Sequence, residues 1–358
     1  MTRSWRWRAG ALVLMSASLS AGAAAQEADT LYLFNWTEYM PPEVLQDFER
    51  EYDVRVVQNF FTSNAEMFTK LRSGGDAQYD VVVPTDYFVP RLVAADLVRP
   101  LDHERLPGLE HLLPEFQDPA YDPGNRYSVP YQWGVTGIVY DTRVLDDVPH
   151  SWSALFDPTV NPEAPFTLLG GDPQVLFGAA CASLGYGFDC TQRDQWVDSA
   201  RRLMATKKRS NFVGFTDSTA TIDQIVRGVS AMGMTYNGDL AWRQAEDPDT
   251  YGHLRFFVPE EGSQRGIDTL VIPKRAPHPE LAQAFIAYTL RPDVAARISN
   301  YTFYATPNKA ALDQLDDALK QPPSSLGDEE RSRLVFVPLI DTAQLGTLSQ
   351  LNNEMRSR

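Results

Sequence analysis

The chain has 358 residues, 43% of them hydrophobic, and carries 47 acids against 32 Lys and Arg for a net charge of −15. A chain this acidic repels nucleic acid phosphates and anionic lipid surfaces, so neither is expected as a partner, and it concentrates cationic solutes around itself. Plain solubility accounts for the same charge, which therefore supports a cationic ligand only weakly.

Arg3, Arg6 and Arg8 precede a short apolar run, Ala11 to Leu19, and the small residues Ala23-Ala24-Ala25. That order is a secretory signal over residues 1–25. A retained N-terminal anchor is the alternative, and no cysteine stands at the cleavage point to carry a lipid. No later stretch is long and apolar enough to span a membrane. The expectation is an exported protein, for which a bacterial periplasm fits.

Leu31 to Phe34 reads as a short buried strand, and Pro41-Pro42 followed by Val44, Leu45 and Phe48 as a helix opening on proline. The segment between them, Asn35-Trp36-Thr37-Glu38-Tyr39, sits on a strand-to-helix loop, where open α/β sheets place ligands. It offers two aromatic faces, a hydroxyl and a carboxylate, a set suited to a cation on an apolar stem. Further along, Val54 to Val57 is a strand, Ser63-Asn64-Ala65-Glu66 a capping box, and Tyr79 to Val83 a buried strand ended by Pro84. Helix is expected over 91–97. Leu106 to Asn125 reads as surface loop or short helices, and Tyr127 to Tyr140 as two extended pieces crossing between sheets. A second alternating region follows. Strands are expected at 166–169, 229–236, 254–258 and 268–272, and helices from Pro173, over 195–205 and 222–226, after Gly238, and over 279–290 and 292–299. The pattern is α/β with mostly parallel sheets in two lobes around a cleft.

Cys181 and Cys190 flank a Gly-containing turn, and in an oxidising compartment they pair, with two free thiols as the alternative. No zinc spacing, phosphate loop or nucleophile elbow occurs among the five histidines, the glycines or the serines. The chemistry calls for no cofactor, metal or catalytic residue.

Five stretches are familiar in combination: Asn35-Trp36-Thr37-Glu38-Tyr39, Asp80-Val81-Val82-Val83-Pro84-Thr85, Ser128 to Gly134, Leu290-Arg291-Pro292-Asp293-Val294 and Thr306-Pro307-Asn308. With these the mature chain resembles, over essentially its whole length, the periplasmic spermidine/putrescine-binding proteins, the receptors of polyamine ABC transporters. The resemblance implies a two-lobed, hinged fold of the type II-like periplasmic-binding-protein class, acting as a monomer that hands a polyamine to a membrane permease. It places one lobe at 26–135 plus 267–312 and the other at 136–266 plus 313–358. It implies that rings hold the ligand's methylenes and that carboxylates meet its ammonium groups. Carried over, Trp36, Thr37, Glu38, Tyr39, Thr85 and Tyr87 belong to one wall. Tyr236 and Asp239 belong to the other, with Asp268 and Tyr304 at the crossing.

Two positions depart from the family pattern. Val175 stands where an acid is expected, with Asp172 available in its place, and Gly266 stands where an aromatic is expected. Arg265 would oppose a cation if it pointed inward. These departures leave the amine class in place and the particular amine open. Each residue also has a plainer reading: Trp36 and Tyr39 as core aromatics, Glu38 and Asp268 as solvated acids, Asp239 as a helix cap, Tyr304 as packing. A receptor of the same fold for another cationic solute, and a secreted α/β enzyme, remain as alternative functions.

Overall fold

The computed structural model describes residues 29–357, so the signal over 1–25 lies outside the described residues. Its strands are β1 (Thr30–Asn35), β2 (Arg55–Phe60), β3 (Val81–Val82), β4 (Ser128–Asp141), β5 (Phe166–Leu169), β6 (Phe212–Thr216), β7 (Met232–Tyr236), β8 (Leu254–Phe257), β9 (Ser263–Val271) and β10 (Leu334–Phe336). They form one hydrogen-bonded path in the order β2-β1-β3-β9-β4-β7-β5-β6, with β10 on β9 and β8 on β4. Helices cover the faces, as expected for central strands such as β4, β5 and β7 that are buried nearly throughout.

Two large apolar cores lie along this path. Leu31, Leu33 and Phe34 of β1, Val81 and Val82 of β3 and Ile267 and Leu270 of β9 belong to the first. Phe166 and Leu168 of β5, Met232 and Met234 of β7 and the fully buried Trp152 belong to the second. Strand β4 feeds both, Val129 packing in the first core and Ile138 in the second. The architecture is a two-lobed α/β fold.

The expectation of mostly parallel sheets needs correction at the centre. Pairing is parallel at the flanks, β1 with β2 and β3, and β5 with β6 and β7. The central strands β4 and β9 run antiparallel from Ser128↔Val271 to Val135↔Arg265, and β4 then continues antiparallel along β7 and β8. An antiparallel central pair lets the chain leave one core and return to it. The two extended pieces read at 127–140 are one 14-residue strand.

Local signals explain the helix starts. Pro42 opens the helix Pro42–Tyr52, whose Val44, Leu45 and Phe48 are buried. Ser63 caps Asn64–Arg72 by accepting from the Glu66 amide, while the Glu66 carboxylate turns back to the amide and hydroxyl of Thr62. The tract before β4 holds short 3-10 turns, such as His103–Arg105 and Pro114–Phe116. A C-terminal helix, Thr342–Ser357, was not read from the sequence; it is anchored by buried Leu348 and Met355.

Cys181 and Cys190 form a disulfide across a separation of 9 residues, stapling the end of the helix Pro173–Ala182 to the segment that leads into Arg193–Lys207. Closing so short a loop removes little unfolded-chain entropy, roughly 2.5 kcal/mol. The double substitution Cys181→Ala/Cys190→Ala should therefore lower unfolding stability in urea by about 2–3 kcal/mol and leave a cooperative transition; a chain that no longer folds would make the staple central to the second lobe.

Candidate functional site

The loop after β1 is shaped by Asn35, whose buried side chain accepts from the Trp36 amide at 2.8 Å. Glu38 then adopts a left-handed backbone conformation, with φ of 55°. That reversal leaves Thr37 and Glu38 exposed and turns Tyr39 inward. The Tyr39 carbonyl accepts from the Tyr131 hydroxyl at 2.6 Å, which fixes the loop against β4. Trp36 packs edge-on against Phe61, with ring centroids 4.4 Å apart.

Tyr39 points its hydroxyl at Asp268 of β9, donating at 2.7 Å to one carboxylate oxygen, and Thr85, just past β3, donates to the other at 2.8 Å. Asn64 holds Thr85 in place by giving to its hydroxyl and accepting from its amide. Burial raises the Asp268 carboxyl to about 6, against the lowering effect of the two hydroxyl donors. A carboxylate kept dry but hydrogen-bonded in this way is primed for a cation, which removes the desolvation penalty that raises it.

On the opposite side, Tyr236 ends β7 and Asp239 lies in the first turn of the helix Asn237–Glu246. Tyr236, not Asp239, occupies the N-cap position, so the cap reading of Asp239 does not hold. The Asp239 carboxylate instead accepts from the Tyr304 hydroxyl at 2.9 Å, and burial raises its affinity for a proton. The Tyr304 ring meets Tyr39 edge-on at 5.3 Å. It lies so close to Gly134 and Gly238 that a Cβ on either would stand 2.7 Å from it, so these two glycines set the position of the ring.

These residues share one cleft of about 1110 Å³, and every residue expected from the sequence lines it: Trp36, Thr37, Glu38, Tyr39, Thr85, Tyr87, Asp172, Tyr236, Asp239, Asp268 and Tyr304. Their chemical situations differ. Asp268 and Asp239 face the cleft with hydroxyl partners only. Glu38 sits on the exposed rim, where a charge pair is weak. Asp172 caps the helix Pro173–Ala182 through the Gln174 and Val175 amides, and its second oxygen accepts from the Tyr87 hydroxyl. These neutral donors fix its orientation without supplying a counter-charge. Arg265 does not point into the cleft: its guanidinium lies 5.1 Å from the Trp133 ring centroid and 3.9 Å from Glu115. Gly266 and Val175 both line the cleft, one leaving space and the other an apolar wall.

Sequence reasoning missed Asn64, Ser218, Trp242 and Arg356 on the cleft wall. Asn64 and Ser218 stand directly after the helix-capping residues Ser63 and Asp217 at the ends of strand-to-helix loops, a signal that could have found them.

The family described as bacterial extracellular solute-binding protein matches residues 43–325. The chain belongs to it. This solute-binding protein is 35% identical to the spermidine/putrescine-binding periplasmic protein of Salmonella typhimurium over 85% of its own length and 83% of the relative's. It is 32% identical to the putrescine/cadaverine-binding protein of Pseudomonas aeruginosa over 97% and 99% of the two chains. Among solved structures it resembles the spermidine/putrescine ABC transporter substrate-binding protein PotD of Streptococcus pneumoniae, with a TM-score of 0.78, 29% identity and coverage of 92% and 99%. Among the described residues, no helix is long and apolar enough to cross a membrane.

The raised Asp268 carboxyl gives this solute-binding protein a signature without ligand. The folded state holds a proton that the unfolded chain, with an ordinary aspartate near 4, has already lost. The resulting stabilisation is complete below about pH 4 and disappears as pH rises through about 6. Denaturation of the unliganded protein and of Asp268→Asn should therefore show wild type losing stability relative to the variant between about pH 4 and 7, and a flat difference across that window would mean that Asp268 titrates normally.

Proposed function

We propose that this protein captures a linear di- or polyamine of the putrescine and spermidine class in the periplasm and delivers it to a membrane ABC transporter permease. The observation that carries this reading is Asp268, a half-buried carboxylate with two hydroxyl donors and a raised pKa, set among Tyr39, Thr85 and Tyr304 in an aromatic-walled cleft. An ammonium group there meets Asp268 and Asp239, and the rings of Trp36, Tyr39, Tyr236 and Tyr304 desolvate the methylenes behind it. The names and coverage of the relatives support the same class. The protein works by binding and release, as a monomer, with lobes at 26–135 plus 267–312 and 136–266 plus 313–358 hinged where β4 and β9 pass between the two cores. An ammonium buried without a partner costs several kcal/mol, on the order of 3–5, so misplaced charge rejects ligands of the wrong length.

A thermal-shift panel of putrescine, spermidine, cadaverine and agmatine tests the class. A ligand at a hundred times its Kd stabilises by about 2.7 kcal/mol, and a melting temperature unmoved by all four would remove the amine reading. Within the site, Asp268→Asn and Asp239→Asn should each weaken amine binding by about tenfold or more, about 1.4 kcal/mol per decade. Glu38→Gln, on the exposed rim, should cost less than about 1 kcal/mol. Calorimetry on the three variants gives the order, and an equal or larger loss at Glu38 would move the ammonium to the rim. Because a bound cation pulls the Asp268 proton off, amine affinity should fall as pH drops below about 6, and that dependence should vanish in Asp268→Asn.

A further inference from the structure

The cleft has one feature that a wholly cationic ligand does not use. Arg356, in the last turn of the C-terminal helix, reaches into it from the second lobe. Its guanidinium stacks on Phe215, 3.9 Å from the ring centroid, and donates to the Gly170 carbonyl at 2.7 Å. No carboxylate among the described residues lies within 4.0 Å of its nitrogens. The other arginine on the cleft wall, Arg243, is paired with Asp223 at 3.3 Å. Arg356 is also held in place: Lys207 binds the carbonyls of Met355 and Arg356 at 2.7 and 2.8 Å, and Met355 is fully buried.

Asp172, Asp217 and Glu246 line the same cleft, and none of them pairs with Arg356. Asp172 accepts from the Gln174 amide and the Tyr87 hydroxyl, neutral donors that supply no counter-charge, Val175 is apolar, and Asp217 caps the helix Ser218–Val226 by accepting from the Ala220 amide. Gly171 is exposed on this wall and has open space where a side chain would stand. The cleft thus holds carboxylates at Asp268 and Asp239 and, by Gly170 and Gly171, a guanidinium with no carboxylate in ion-pair reach among the described residues. Its volume of about 1110 Å³ leaves room for a ligand longer than a simple diamine, since small-ligand sites run from roughly 300 to 1,000 Å³.

We propose that the preferred ligand is a carboxylated polyamine, its ammonium groups held at Asp268 and Asp239 and its carboxylate held by Arg356. This rests on the amine reading of the same cleft and narrows it. A planar guanidinium presents paired donors to a carboxylate, and the fixed stacking on Phe215 means that little side-chain freedom is lost on binding. A third ammonium at that position would face a like charge in a partly desolvated wall.

A matched pair of ligands tests the proposal. N-(4-aminobutyl)-β-alanine has the spermidine skeleton with one terminal aminomethyl group replaced by a carboxylate. Calorimetry should show the wild-type protein binding it at least about tenfold more tightly than spermidine. Arg356→Gln should erase that preference by weakening the carboxylated ligand alone, and Arg356→Lys should restore part of it. Gly171→Asp leaves Arg356 and its helix untouched, adds a carboxylate to the same wall, and should shift the preference toward spermidine, which keeps the test valid if Arg356→Gln loosens the C-terminal helix. Spermidine bound more tightly by the wild type, or a preference unchanged by Arg356→Gln and Gly171→Asp, would overturn the proposal while leaving the amine reading intact. Failure of both ligands to bind would overturn the proposal, and the amine reading is then decided separately by the four-amine thermal-shift panel. Spermidine affinity that rises in Arg356→Gln, with no wild-type binding of the carboxylated ligand, would show Arg356 to be a barrier to long polyamines and would likewise overturn the proposal.

Discussion

The structure depends on keeping a carboxylate dry enough to want a cation and open enough to receive one. Asp268 meets that constraint with two hydroxyl donors from separate parts of the chain, Tyr39 after β1 and Thr85 after β3. Neutral donors satisfy the carboxylate oxygens without cancelling the charge. A lysine or arginine in their place would have done both, and would have left nothing for a ligand. The residual penalty appears as the carboxyl raised to about 6. A bound cation relieves that penalty, so part of the binding energy is stored in the unliganded fold.

That arrangement ties the site to the sheet. Asp268 lies on β9, which is hydrogen-bonded to β3 on one side and β4 on the other. The same β4 carries Gly134, whose missing side chain admits the Tyr304 ring, and Tyr304 in turn reaches Asp239 from across the cleft. Three elements of the first core and one helix of the second thus converge within a few residues of the β4–β9 pair. The bonds that span the cleft are side-chain contacts, such as Tyr304 to Asp239 and Tyr87 to Asp172, while the continuous link between the cores is the backbone of β4 and β9. Side-chain bonds between neutral donors and acids are individually modest, so they can be exchanged for ligand contacts without disturbing the sheet.

Much of this was legible because it is written locally. Runs such as Tyr79 to Val83 mark buried strands, Ser63 and Pro42 mark helix starts, and the aromatic loop at Trp36 follows from its place after a strand. What was not legible depends on partners distant in sequence. Pro130 made 127–140 look like two pieces, yet the strand is continuous because the pairing register shifts between Pro130 and Gln132, where an irregularity absorbs the missing N–H. Strand β6 escaped notice because Gly214, with φ of 152°, interrupts its apolar pattern. Glu38 reads by residue type as one partner for an ammonium group, while its exposure is set by a left-handed turn that residue type does not announce. The bonds of Asp172 to the helix after it and to Tyr87 likewise depend on where those partners fold.

The C-terminal helix shows the same limit from the other direction. Its sequence buries few side chains, only Leu348 and Met355 among those described, so no strong periodicity marks it. Its contribution comes from where it ends: Lys207, on a helix far earlier in the chain, fixes the last carbonyls and thereby aims Arg356 at the cleft. Acids supplied by β9 and by the first turn of the helix Asn237–Glu246, with a cation supplied by a helix end, make the cleft wall chemically uneven. A cleft with acids at both ends accepts an extended diamine in either direction. A cleft with unlike ends fixes one direction, because reversal would bring ammonium to guanidinium and carboxylate to carboxylate, and each such like-charge contact in a water-poor site is unfavourable. For a ligand with a cation at one end and an anion at the other, charge order along the cleft would set its direction, and the rings between would grip it.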